Sequence, residues 1–155
     1  MRSTASFLLL ALLLPAAAVA GKPRTTLRVH LEANARDGDV FSTKLRSSVT
    51  GKAVVIQKVP TISEQDVVAF AAYPAADGSF GVLFELDDHG KLALDTLSID
   101  RRSTYLYIFV NARPLAELLI DRRVSDGKLY VASGLTTQDI AQMRKDWRLI
   151  GHQKK

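Results

Sequence analysis

The residue types that could do chemistry are few, and their spacing does not favour it. Three histidines occur: His30, His89 and His152. The first falls on the polar side of an alternating segment, the second at the start of a predicted helix, and the third in the terminal tail. None has a second histidine at the i, i+4 spacing with which one helix face holds zinc. Asp87 and Asp88 are adjacent carboxylates, but neighbours on an extended chain point apart. Their place just before a helix fits capping instead. Asp126-Gly127 lacks the other ligands of a calcium loop. No Gly-x-Ser-x-Gly elbow, Walker loop or dinucleotide fingerprint is present. The sequence therefore names no catalytic, cofactor-binding or metal-ligating residue. With no cysteine at all, disulfides, thiolate metal sites and acylation on cysteine are excluded.

At 155 residues, with 47% hydrophobic and 24% charged side chains, the chain fits one globular domain with a core of useful size. The formal charge of +5 is spread along the chain, apart from Arg101-Arg102, Arg122-Arg123 and Lys154-Lys155. Such isolated pairs are usual at solvated loop ends and do not make a nucleic-acid stripe. The first twenty residues read as an export leader. Arg2 is a positive start, Phe7 to Leu14 is apolar, Pro15 interrupts, and Ala18-Val19-Ala20 is an A-x-A cleavage site. The apolar run from Phe7 to Ala20 is shorter than the roughly 20 residues a bilayer needs. The expectation is cleavage before Gly21, and a periplasmic or secreted protein without a transmembrane segment in its mature form.

Beyond a short polar entry, Leu27 to Ala33 alternates as a half-buried strand. Asp37-Gly38-Asp39 reads as a turn, and Phe41 to Ser48 and Ala53 to Val59 as strands. Ser63 and Asp66 have capping-box spacing. Ile62 and Val67 can form a hydrophobic staple, so a helix is expected from Ser63 to Pro74. Phe80 to Leu86 alternates again. Asp88 can cap a second helix in which Gly90, Ala93, Leu94 and Leu97 share a face. Thr104 to Val110 is apolar on both faces and belongs in the middle of a sheet. It turns through Asn111 into Leu115 to Asp121. Asp126-Gly127 then reads as a two-residue hairpin into Lys128 to Ser133. Thr136 caps a last helix with Asp139 three residues on. Its stripe is Ile140, Met143, Trp147 and Ile150, and Gly151 stops it. The fold class is α+β, mainly antiparallel sheet with about three helices packed chiefly on one face.

From Pro60 onward these motifs resemble the head subdomain of the first periplasmic domain of SecD, a membrane subunit that assists protein export. The resemblance rests on several quoted stretches. They are Pro60-Thr61-Ile62-Ser63-Glu64-Gln65-Asp66-Val67, Val82 to Leu86, Asp87-Asp88-His89-Gly90 and Leu92 to Ser98. Leu106 to Val110 turning through Asn111, Gly134, and Thr136 to Ile140 complete them. Ala112 stands where that family usually carries glycine. The chain is thus expected to comprise residues 1–20 as a leader, 21–59 as N-terminal strands joining the same domain, 60–151 as the head-like module, and 152–155 as a basic tail. The chain departs from SecD in that neither membrane helices nor a base subdomain is expected in it.

The resulting expectation is a non-catalytic, exported interaction module that binds an envelope protein or an unfolded chain, with no nucleic acid. The alternatives are an envelope hydrolase with a site assembled across the fold, or a protein binding polyanions or cell wall. The candidate partner-binding residues are Tyr105, Tyr107 and Leu119, which can share one face of adjacent strands. That face is open only if the strands from Leu27 to Val59 do not cover it, and those strands must bury their own apolar side somewhere. The leader reading is checked by the intact mass of the exported protein. The expected N-terminus is Gly21, and retention of residues 1–20 would overturn it.

Overall fold

A computed structural model describes residues 24–34 and 36–151. The leader and the basic tail expected from the sequence lie outside the described residues. The strands are β1 (Leu27–Leu31), β2 (Ser42–Arg46), β3 (Ala53–Gln57), β4 (Ile62–Ser63), β5 (Val67–Pro74), β6 (Phe80–Leu86), β7 (Tyr105–Val110), β8 (Arg113–Leu119), β9 (Lys128–Leu135) and β10 (Arg148–Leu149). The helices are α1 (Gly38–Phe41), α2 (Asp88–Asp100) and α3 (Thr137–Asp146). The class is the expected one: α+β, with every strand pair antiparallel except β10 with β5.

Two four-stranded sheets, ordered β4-β1-β7-β8 and β10-β5-β6-β9, turn one face each to a single core. Alternation decides which residues enter it. Leu27, Val29 and Leu31 of β1 and Leu106, Ile108 and Val110 of β7 come from the first sheet. Phe70, Val82, Phe84, Leu129 and Val131 come from the second. The helices contribute Leu94 and Leu97 of α2 and Ile140 and Met143 of α3. Trp147 packs edge-on against Phe70 and Phe84, with ring centroids 6.4 and 5.9 Å away. A separate pair, β2 with β3, forms a hairpin outside the two sheets.

Five local readings need correction. The capping box at Ser63 forms, with the Ser63 N–H donating to Asp66 Oδ2 at 2.7 Å, but it opens only one 3-10 turn, Glu64–Asp66. The chain then becomes β5 rather than a helix. Val67, Val68, Phe70 and Tyr73 favour a strand, and pairing with β6 on one side and β10 on the other decides the ambiguity. Asp126-Gly127 is a turn with Gly127 at φ +70°, but it joins no hairpin. β8 pairs with β7 and β9 pairs with β6, so this turn carries the chain from one sheet to the other.

The last helix ends at Asp146, and Trp147 is already extended, because Ile150 N–H donates to Phe70 O beside β5 at 2.9 Å. Asp37-Gly38-Asp39 leads into the single helical turn of α1, and Asp87 rather than Asp88 caps α2 by accepting from Gly90 N–H at 2.9 Å.

The hairpin that the sequence does place is β7–β8. Asn111 and Ala112 both have positive φ, 52° and 60°. Asparagine tolerates this; for alanine it costs about 1–2 kcal/mol. Asn111 is held from both directions. Its N–H donates to Thr26 O at 3.0 Å, and Thr26 N–H donates to its Oδ1 at 3.2 Å.

Trp147→Ala removes the ring against Phe70 and Phe84, and unfolding should become easier by roughly 3–5 kcal/mol. Thermal or urea unfolding measures this, alongside a blue-shifted native emission that turns red on unfolding. A solvent-like native spectrum would place the ring outside the core.

Candidate interaction groove between the two sheets

β8 and β9 are the adjacent edges of the two sheets, and each has a ladder partner on one side only. Both carry irregularities at the end where they meet. In β8 the register passes from Ala116 opposite Ile108 to Pro114 opposite Phe109, leaving Leu115 as the extra residue of a bulge. In the β6–β9 ladder, Val82 pairs with Val131 and Phe80 with Leu135. Leu115 is thereby turned onto Gly134, where an added Cβ would lie 2.9 Å from Leu115 Cδ1. Arg113 closes this end. Its Nη1 donates to Gly134 O at 3.0 Å and its Nη2 to Asp139 Oδ2 at 2.7 Å.

Away from this junction a groove of about 700 Å³ opens between Leu118 and Leu119 of β8 and Leu83 and Tyr130 of β6 and β9. The segment from Ile120 to Gly127 borders it, contributing Val124. Two contacts pin that segment to α2: the Arg123 guanidinium grips both Asp95 oxygens at 2.6 and 2.8 Å, and Val124 N–H donates to Ser98 Oγ at 2.9 Å. The ion pair lowers the Asp95 pKa and raises that of Arg123. Tyr130 stacks on Tyr73 with centroids 5.5 Å apart.

The three residues singled out from the sequence separate here. Leu119 is 51% exposed and lines the groove. Tyr105, its cross-strand partner, is half-buried. Tyr107 is only 3% exposed and cannot itself meet a partner. The β2–β3 hairpin covers it, as the N-terminal strands were expected to. Glu32 bridges to Ile56, and His30 Nδ1 lies 2.7 Å from Gln57 O. Ser47 Oγ and Ser48 Oγ donate to Glu117, the cross-strand partner of Tyr107, at 2.7 and 2.8 Å. Burial raises the Tyr107 phenol's pKa, with Glu32 and Glu117 adding to the effect. Burial likewise lowers that of His30. For Glu117 burial opposes the charge, but the bonds from Ser47 and Ser48 outweigh it and hold the carboxyl below its ordinary value.

Tyr130 and Val124 had no part in the sequence reading. The one available signal was Tyr130 at an outward position of an alternating strand. His89 also gains a carboxylate that local spacing did not show. Its Nδ1 lies 2.6 Å from Asp66 Oδ1, which raises the imidazole pKa, and Asp87 brings a third possible ligand atom within 4.8 Å. Asp66 and Asp87 are each engaged in capping their own turn, and Asp87 N–H donates to Asp66 O at 2.8 Å.

No protein-family model matches the chain, and no curated protein matches it in sequence. Solved structures do match. One is a crystal structure of SecDF in a super-membrane-facing form, with TM-score 0.55 and 13% identity, covering 83% of this chain and 20% of that one. Another, described as the structure and function of a membrane component SecDF that enhances protein export, has TM-score 0.55 and 13% identity, covering 86% of this chain and 70% of that one. The fold resembles that of SecDF. At this identity the likeness is one of fold alone. This chain spans about a fifth of the longer SecDF chain. The covered share exceeds the stretch from Pro60 to Trp147, so the likeness extends beyond the segment whose motifs carried it.

Glu117→Ala should loosen the hairpin over Tyr107 at a cost of about 1–2 kcal/mol. In the native protein the anchorage should be complete above the unfolded-state glutamate pKa and be lost as pH falls through the lowered folded value. Amide exchange at Ser48 measures both effects. Equal protection in the variant, or no change on acidification, would show that the hairpin is held by other contacts.

Proposed function

We propose that this protein is a non-catalytic interaction module of the cell envelope that binds an extended polypeptide along the β8–β9 groove. The observation that carries the reading is the pair of open strand edges bordering one apolar groove. An extended chain adds to such an edge through backbone hydrogen bonds. These are indifferent to sequence, and alternate side chains enter the groove and set preference. Leu118, Leu119, Tyr130 and Val124 suit apolar side chains. Of the charged residues that line the groove, Arg123 is paired with Asp95 and Glu117 with Ser47 and Ser48, while Asp121, Arg122, Asp126 and Lys128 line it as well. No nucleophile with an adjacent base stands among the described lining residues.

The fold likeness to SecDF, which enhances protein export, supports a partner that is itself a protein. The leader pattern supports a periplasmic or secreted location. Among the described residues no helix is long and apolar enough to cross a membrane. The surface proposed from Tyr105, Tyr107 and Leu119 is thus recentred on Leu119 and Tyr130, with Tyr105 at its margin.

Fluorescence anisotropy with a reduced, alkylated and permanently unfolded polypeptide tests the groove. Leu119→Glu and Tyr130→Glu each place a charge on an exposed apolar wall and should weaken binding about tenfold or more with little change in thermal midpoint. Undiminished binding by both folded variants would remove this groove as the site.

A further inference from the structure

We infer that the β2–β3 hairpin is a docking surface for an anionic lipid bilayer. Among the described residues, the three most exposed large apolar side chains are Val40 at 76%, Val59 at 75% and Phe41 at 70%. They lie together at the open end of the hairpin, because Lys58 N–H donates to Phe41 O at 2.9 Å and Lys58 Nζ reaches Asp39 O. A single exposed valine needs no explanation; three beside one another on a small domain form a patch that does. Val49 is exposed in the turn at the other end.

Asp37 and Asp39 flank the apolar end, but along the hairpin itself the charge is one-sided. From Val40 to Ser63 there is no Asp or Glu, while Lys44, Arg46, Lys52 and Lys58 are all exposed. Apolar groups at the open end of the hairpin therefore adjoin cationic groups along it, and both are exposed. A soluble polyanion would engage the cations and leave Val40, Phe41 and Val59 in water. An apolar protein surface would cover those three and strip the cations of solvent. An anionic bilayer accepts both kinds of group, with apolar side chains at the acyl boundary and Lys and Arg among the phosphates. The hairpin is also held in place for docking. Five residue pairs join its strands, and its two ends are tied to β1 and β8 through Gln57 with His30 and through Ser47 with Glu117.

The test is co-sedimentation of the chain from Gly21 onward, whose described elements all begin after Arg24. The vesicles are phosphatidylcholine alone, or phosphatidylcholine with about one-third phosphatidylglycerol. Partition should be about tenfold stronger on the anionic vesicles and should fall with added salt. The double variant Phe41→Ser/Val59→Ser should lower it about tenfold. Lys44→Gln/Lys52→Gln should remove most of the preference for anionic lipid. Leu119→Glu, in the groove, should leave vesicle binding unchanged, so failure of the groove and failure of this surface are read separately. Equal partition onto neutral and anionic vesicles would overturn the inference. So would unchanged binding by a folded Phe41→Ser/Val59→Ser variant, which would indicate a polyanion site. Self-association abolished by that variant, without vesicle binding, would show the patch to be a contact between copies.

Discussion

The Asp139 carboxylate gathers two parts of the chain at one point. It accepts from the Thr136 N–H at 2.9 Å and the Thr136 hydroxyl at 2.8 Å, from Asn111 Nδ2 at 3.1 Å, and from Arg113 Nη2 at 2.7 Å. Burial alone would raise its pKa, but these bonds outweigh that and lower it, so the site is built for the charged form. Through it the start of α3 is fastened to the β7–β8 turn, and with them the two sheets are fastened at one end. The left-handed Ala112 persists because its neighbours Asn111 and Arg113 are both held there. The junction fixes β8 and β9 at Leu115 and Gly134. The groove opens beyond them, between the edges of β8 and β9.

That geometry explains what was legible in the sequence and what was not. Both capping boxes were readable, since each needs only a hydroxyl and a carboxylate three residues apart. Thr136 and Asp139 open a ten-residue helix, whereas Ser63 and Asp66 open a single turn. The difference lies downstream. Gln138, Ala141, Gln142 and Arg144 offer α3 good helix formers around its buried stripe, while Val67 to Tyr73 interleaves its alanines with Val67, Val68, Phe70 and Tyr73 and finds strands on both sides. Asp126-Gly127 was a true turn signal attached to the wrong partners. Local chemistry fixes that φ is positive at Gly127; it does not say which strands the chain is travelling between.

The candidate site was half legible for a related reason. Alternation places Tyr105, Tyr107 and Leu119 on one face of β7 and β8, and they are there. How much of that face stays open depends on where the β2–β3 hairpin reaches. That is set by Ser47 and Ser48 meeting Glu117, a contact across some seventy residues. The hairpin stops at Glu117, so Tyr107 is covered and Leu119 is not. Tyr130 and Val124 join the site only because the sheets converge, a relation that no stretch of sequence expresses.

Open strand edges invite indiscriminate pairing, and several features of β8 and β9 limit it. Pro114 has no N–H to offer, and the bulge at Leu115 turns the β8 ladder aside at the same place. Lys128 guards the far end of β9, and Glu117 is bound to the hairpin. What remains accessible on β8 is short, from Ala116 to Leu119. The segment from Ile120 to Gly127, pinned by Asp95 and Ser98, stands at its side. In the proposed reading, the features that limit edge-to-edge pairing would leave the groove to a solitary extended chain, so that protection of the edges and the role proposed for them rest on the same residues.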